Sequence, residues 1–355
     1  MNRPILIPGL PRAWRGPDEL QLGSDPARAL LLRLPDPRAA RVLDLLDGTR
    51  SERMLVLRAA ELGVSADDCR ALLETLQTAG LIVPLGSLLP PTLPAAAQHR
   101  LIGEAAALAM RETGRDAGAT PAQILRRRGA ARVVLAGAGR LGAGIAVALA
   151  EAGVGHVQPD VTGAVGRSEP AGGPLREADL GRPRREAIID ALSRSAPGNP
   201  TGVRRGAATL LIQLNHDEPA SLLAAAHANR RQPHLAVTIR EGAAVIGPLV
   251  PVGGSPCLNC LDIHRRERDA EWPGAVVPSG AEPCAVTTLL AATAFAAAEA
   301  LTFIDGGTPE TLGATVEITE PSRIRRRTWT PHPDCFCAAA RPRVTAVGQT
   351  NAHSS

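Results

Sequence analysis

The sequence predicts an α/β protein in which an open sheet of parallel βαβ units follows a small winged-helix domain and is closed by a metal clip. From Ala131 onward, short apolar runs alternate with helical patterns: "RVVLAG", a helix to Ala152, "HVQPD", a helix over 184–195, "TLLIQL", a helix over 219–229, then "HLAVTI". Such alternation is how parallel strands joined by crossover helices read in a sequence. The first strand runs straight into "GAGRLG", and four of the six cysteines stand in two close pairs, Cys257 with Cys260 and Cys335 with Cys337.

A chain of 355 residues is longer than one core usually organises, so a large domain with a smaller companion is expected. Residues 1–85 form the companion. Its "ALLLRL" reads as a short strand, and three helical patterns follow. The first starts at Pro37 and stops at Gly48, and the second has Ser51 as its N-cap. The third runs from Ser65 to Gly80, with Cys69, Leu72, Leu73 and Leu76 at i, i+3, i+4 and i+7 on one core face. "LIVPL" then returns as a strand. Residues 86–130 hold a proline-rich linker, "GSLLPPTLPAAAQ", and two helix-like segments. Residues 131–338 are the large domain, and 339–355 a disordered tail.

Composition removes some functions. The 39 basic residues are all Arg, a coding bias that weakens any single Arg as evidence; the net charge is +4 and aromatics are 2%. Few faces remain for base stacking. On the third helix of the front domain, Asp67, Asp68 and Glu74 outnumber Arg70, a surface that repels phosphates, so nucleic acid is not an expected partner. The apolar window 284–304 nearly reaches spanning length, but it is Ala/Thr-rich and carries Glu299, so it reads as a core helix and no membrane span is expected. The N-terminus lacks a signal peptide's apolar core, and a cytoplasmic location with reduced thiols is expected.

"GAGRLG" sets Gly137, Gly139 and Gly142 in the GxGxxG spacing between a strand and a helix. Gly137 permits the tight turn, Gly139 lets a phosphate approach the backbone, and Gly142 lets helix and strand pack closely. The helix N-terminus offers free N–H groups to an anion. Asp160, at the end of the next strand, stands where a dehydrogenase would hold a ribose hydroxyl. The motif alone leaves nucleotide binding and an emptied, Rossmann-like scaffold both open. The two cysteine pairs suit tetrahedral zinc, each pair clamping one edge; with four thiolates there is no open position, so the metal is structural. Unrelated core packing is the alternative. Cys69 and Cys284 read as core residues.

The glycine turn, the αβ sheet, "EGAAVIGPLVPVGGSPCLNC", an Ala-rich helix and a closing Cys pair, in this order, resemble the ThiF/MoeB family of ubiquitin-activating-type adenylyltransferases over Arg132–Cys337. "DLGRPRREA" is similar to the family's D-[IV]-G-x-P-K stretch, which implies Arg184 on ATP phosphates where the family has Lys. "LIQLNHDEP" resembles the strand end supplying a magnesium-organising aspartate, here Asp217. The departures are as specific: the family's S-N-L-x-R-Q stretch is absent between Asp160 and Asp179, and no cysteine follows Cys260 closely to accept a thioester. Arg is bulkier than Lys and not equivalent to it. ATP and Mg are therefore expected to be vestigial.

The front domain, through "PILIPGL", "LDLLDGTRS" and "LLETLQTAGLIV", resembles PqqD-like modules that bind leader peptides of ribosomally made, post-translationally modified peptides (RiPPs). That implies a leader added as a strand near Leu31 and Leu32 and lying along Arg70, Glu74 and Gln77 of the third helix. Together the parts resemble ThiF-like proteins of azole peptide (TOMM) biosynthesis that present a precursor to a YcaO-type cyclodehydratase. The resemblance implies a non-catalytic subunit, with homodimers common among such proteins. The alternatives are an active adenylyltransferase on a peptide C-terminus, using Gly139, Arg184 and Asp217, and a dinucleotide oxidoreductase.

Overall fold

The computed structural model describes residues 3–112, 118–200, 206–216, 218–254, 256–274 and 282–339. Asp217 and, apart from the backbone of Ala339, the tail expected over 339–355 lie outside the described residues. The chain divides into two compact units, Met1–Ala130 with Glu151–Val154, and Ala131–Ala150 with Gly155–Ser355.

The first unit begins with β1 (Pro4–Leu6), β2 (Arg12–Trp14), β3 (Glu19–Leu22) and β4 (Leu30–Arg33). The helical pattern read from Pro37 to Gly48 is a 3₁₀ helix over Pro37–Leu45; Asp36 caps it by accepting from the Arg38 N–H. Then come α1 (Glu52–Glu61), α2 (Ala66–Thr78), β5 (Ile82–Pro84), α3 (Leu85–Leu88), α4 (Ala95–Glu112) and α5 (Pro121–Ala130). Ser51 and Ser65 cap α1 and α2 as their sequence positions predict, accepting from the N–H groups of Met54 and Asp68.

The strand pairing differs from the expected winged helix. β5 pairs antiparallel with β1, while β4 belongs to a separate sheet ordered β2-β3-β4. β3 and β4 alternate strictly: Leu20, Leu22 and Leu32 point into a core with Val42, Leu43, Leu55, Cys69 and Leu76. The proline-rich stretch expected to be a linker is partly core, because Leu88 and Leu89 pack with Ile5, Ile7, Leu101 and Leu125.

The second unit holds β6 (Arg132–Gly137), α6 (Leu141–Glu151), β7 (His156–Val161), α7 (Arg184–Ser195), β8 (Leu210–Gln213), α8 (Ala220–Asn229) and β9 (His234–Arg240). Next are β10 (Ala243–Val250), α9 (Leu258–Arg268), α10 (Val286–Asp305), β11 (Ala314–Glu320), β12 (Arg323–Thr328) and α11 (Phe336–Ala339). One seven-stranded sheet, ordered β12-β11-β10-β9-β8-β6-β7, runs through it. The predicted βαβ half, β6 to β9, is parallel; β9 to β12 are antiparallel, so the sheet is mixed. α10 is long and apolar enough to cross a membrane by length and composition. Its Glu299, however, is buried and accepts from the N–H groups of Glu310 and Thr311, which fixes the loop entering β11.

Candidate functional site

The glycine turn leaves β6 and enters α6 with its predicted geometry. Gly137 has φ of +101°, and a Cβ there would stand 2.6 Å from the carbonyl oxygen of Asn215. Gly139 has φ of +139°, a conformation that side chains rarely adopt. A Cβ on Gly142 would stand 2.8 Å from Leu214, so this glycine sets the close approach of α6 to the sheet.

A carboxylate occupies the place that the turn offers to an anion. Glu282 Oε2 accepts from the Arg140 backbone N–H at 2.6 Å, and its other oxygen accepts from the Asn215 amide. The Arg140 guanidinium then holds the same segment by donating to the carbonyls of Glu282 at 3.1 Å and Cys284 at 3.0 Å. Burial pushes the Glu282 carboxyl up, and the Arg140 N–H and the Asn215 amide oppose that rise. With Glu282 seated, the space bounded by Ala138, Gly139, Leu141, Leu214 and Asn215 has no room for a water molecule.

Arg184, at the start of α7, is also engaged. Its Nε donates to Glu169 Oε2 at 2.9 Å and Nη2 to Glu169 Oε1 at 2.7 Å, the bidentate fork that an arginine offers a phosphate. Two more bonds go to the carbonyls of Thr162 and Ala164. The Glu169 hydrogen bonds are the first cause of a raised Arg184 pKa, and the Glu282 charge adds to it. Asp160 is exposed at the end of β7. Arg140, Glu169, Asn215 and Glu282 escape sequence reading: Arg140 and Asn215 lie inside "GAGRLG" and "LIQLNHDEP", but neither periodicity nor spacing marks any of the four.

The four cysteines converge. The sulfurs of Cys257, Cys260, Cys335 and Cys337 lie within 4.8 Å of one another. Cys257 Sγ stands 3.9 Å from Cys260 and 3.5 Å from Cys335, and Cys260 stands 3.2 Å from Cys337. A tetrahedron with Zn–S bonds of about 2.3 Å has edges of about 3.8 Å, so the set fits that ion. Asn259 donates to Cys335 Sγ and the His332 N–H to Cys260 Sγ, an outer layer that orients the sulfurs. The Cys257 thiol, followed by the His332 N–H, pushes Cys260 down, whereas burial pushes Cys337 up. Cys69 is fully buried on α2, as read, but Cys284 is only half-buried.

Of the residues expected to touch a peptide, Leu31 is 49% exposed while Leu32 is buried in the first unit's core, so only the former can offer a side chain. Arg70, Glu74 and Gln77 are exposed along one face of α2. Among the described residues β4 pairs with β3 alone, which leaves its other edge unpaired. The Leu34 N–H donates to Asp18 at 2.7 Å. Hydrogen-bonded pairs recur at every second residue, so the N–H groups of Leu31 and Arg33 point to the open edge.

No protein-family profile matches the chain, and no curated protein matches it in sequence. Solved structures match its fold. E. coli MccB, solved with AMPCPP and MccA, aligns over 94% of this chain and 98% of its own, with a TM-score of 0.60 and 17% identity. The Microcin C7 biosynthetic enzyme MccB in complex with N-formylated MccA gives a TM-score of 0.60 and 16% identity, over 94% of this chain and 99% of that one. A heterocyclase in complex with substrate and cofactor aligns over 95% of this chain but 39% of its own length, with a TM-score of 0.57 and 16% identity. The chain thereby shares its α/β fold with a protein solved with MccA and with one solved with substrate and cofactor.

Proposed function

We propose that this chain is a ThiF-like subunit that binds the leader of a ribosomally made precursor peptide and presents it to a YcaO-type cyclodehydratase, with adenylation lost. The observation that carries this reading is the pair of carboxylates at the would-be phosphate groups: Glu282 fills the glycine turn and Glu169 holds Arg184. A triphosphate would have to displace both and leave them buried beside its own charge, a costly arrangement. The fold shared with MccB supports a role on peptides, and that shared with a heterocyclase supports work beside ring-forming chemistry.

In this reading residues 1–85 hold the peptide and 131–338 serve as scaffold, with zinc as a structural ion on the four cysteines. The leader adds to the open edge of β4 through the Leu31 and Arg33 N–H groups and extends along Arg70, Glu74 and Gln77. Backbone pairing supplies affinity and the helix face selectivity. The cytoplasm suits a site of reduced thiolates.

The test is fluorescence anisotropy with labelled leader peptides from any short reading frames beside this gene. Saturable binding is expected, and Leu31→Pro, which removes an outward N–H without touching the ladder to β3, abolishes it while near-UV circular dichroism stays unchanged. Absence of binding by the native chain defeats the reading. The second reading, an active adenylyltransferase acting on a peptide C-terminus, draws on the MccB structure solved with both AMPCPP and a peptide. It predicts peptide-dependent ATP–pyrophosphate exchange.

A further inference from the structure

The second unit contains another cavity, of about 340 Å³, which shares no residue with the glycine turn. One wall is the sheet: Val245 of β10, Thr315 and Glu317 of β11, and Arg325 and Arg327 of β12, alternate positions that share one face. Arg240 closes the end of β9. The opposite wall is Arg265 and Arg268 of α9 with Asp269 and Trp272 beyond it, and Trp329 follows β12.

Two of the chain's three tryptophans meet here, and both indoles are anchored. Trp329 Nε1 donates to Thr315 Oγ1 at 3.0 Å and Trp272 Nε1 to Asp262 Oδ1 at 3.1 Å. They act as platforms for guanidinium groups. Arg327 lies 4.0 Å from the Trp329 centroid, Arg268 lies 5.9 Å from it, and Arg265 lies 5.3 Å from Trp272 and 5.7 Å from Trp329. Occupied by cations, these faces hold arginine forks in place and leave little room to stack a base.

The charge is uncompensated. Five arginines face two carboxylates, a lining of 5 − 2 = +3. Their sequence neighbours Arg266 and Arg326 are ion-paired, with Asp262 and Glu310, whereas among the described residues none of the five is. The Arg240 Nε is buried with no hydrogen-bond partner among the described residues. Burial, followed by the charge of Arg240, pulls Arg265 down to about 10, so the cluster resists its own charge until a counter-anion arrives.

We propose that this cavity binds a small organic polyphosphate of nucleotide size, at a site separate from the glycine turn. Arg forks suit phosphate oxygens bidentately. The volume lies in the range of small-ligand sites, which a lone phosphate would leave mostly empty. Asp269 and Glu317 repel a bare inorganic polyanion but accept from the hydroxyl or amino groups that a nucleotide carries.

The test is calorimetric titration of the full chain with ADP, inorganic triphosphate and hexaglutamate, with 8-azido-ADP crosslinking to locate the site. ADP is expected to bind at least tenfold tighter than triphosphate or hexaglutamate and to crosslink within 265–272 or 323–329. Arg325→Gln/Arg327→Gln is expected to weaken ADP at least tenfold with an unchanged Tm, leaving leader-peptide binding intact. Crosslinks at 137–142 or 184 overturn the proposal, as does absence of ADP binding. Triphosphate binding as tight as ADP overturns the nucleotide assignment, and tighter hexaglutamate binding assigns the cavity to an acidic peptide instead.

Discussion

Removing the Glu282 side chain frees the anion site formed by Gly139, the Arg140 N–H and the Asn215 amide. Glu282→Ala is therefore expected to raise ATP affinity at least tenfold over the native chain by calorimetry, a gain of about 1.4 kcal/mol; unchanged affinity means the carboxylate is not the block. His227 and His234 stack with ring centroids 4.2 Å apart. Burial pushes them down to about 3 and about 4, and neither ring nitrogen of His227 has a hydrogen-bond partner among the described residues. Unfolded histidine titrates near pH 6.5, so below that pH the unfolded chain takes up protons that the folded pair refuses. Stability is full above pH 6.5 and falls towards pH 4, by about 1.4 kcal/mol per histidine for each pH unit. Urea unfolding at pH 7.5 and pH 5 checks this, and His227→Phe should flatten the profile. At this scale the sequence reveals Gly137, Gly139 and the cysteines, whose roles follow from their type and spacing. Glu282 and Glu169 act through long-range placement, which no local pattern records.

Among the elements, those with an internal signal are legible. Ser65 with the Cys69, Leu72, Leu73 and Leu76 face announces α2, and the apolar runs announce β6 to β9. β1, β2 and β5 are three residues each and β3 four, too short for two-residue alternation to accumulate, and β1 and β5 find each other across about 80 residues of chain. β12, "RIRRRT", is exposed along its whole length at the sheet edge, so it shows no apolar alternation. The α2 account predicts that Leu76→Ala, at a fully buried position, destabilises the first unit by about 3 kcal/mol in urea unfolding, against under 1 kcal/mol for exposed Gln77→Ala.

Across the whole molecule, the cysteine cluster brings the start of α9 against the segment after β12, positions 78 residues apart. Chelation of the native protein, or Cys335→Ser, is expected to lower Tm by more than ~10 °C, which corresponds to several kcal/mol for a unit of this size. Intact-mass measurement under native conditions should show one zinc that Cys335→Ser loses. In the proposed function the fold serves as a peptide-holding scaffold, and Glu282 and Glu169 meet the groups that would otherwise hold phosphate. ATP–pyrophosphate exchange by the purified chain with Mg-ATP and the precursor peptide tests it most directly: exchange at background level is the predicted result, and peptide-dependent exchange above background contradicts it.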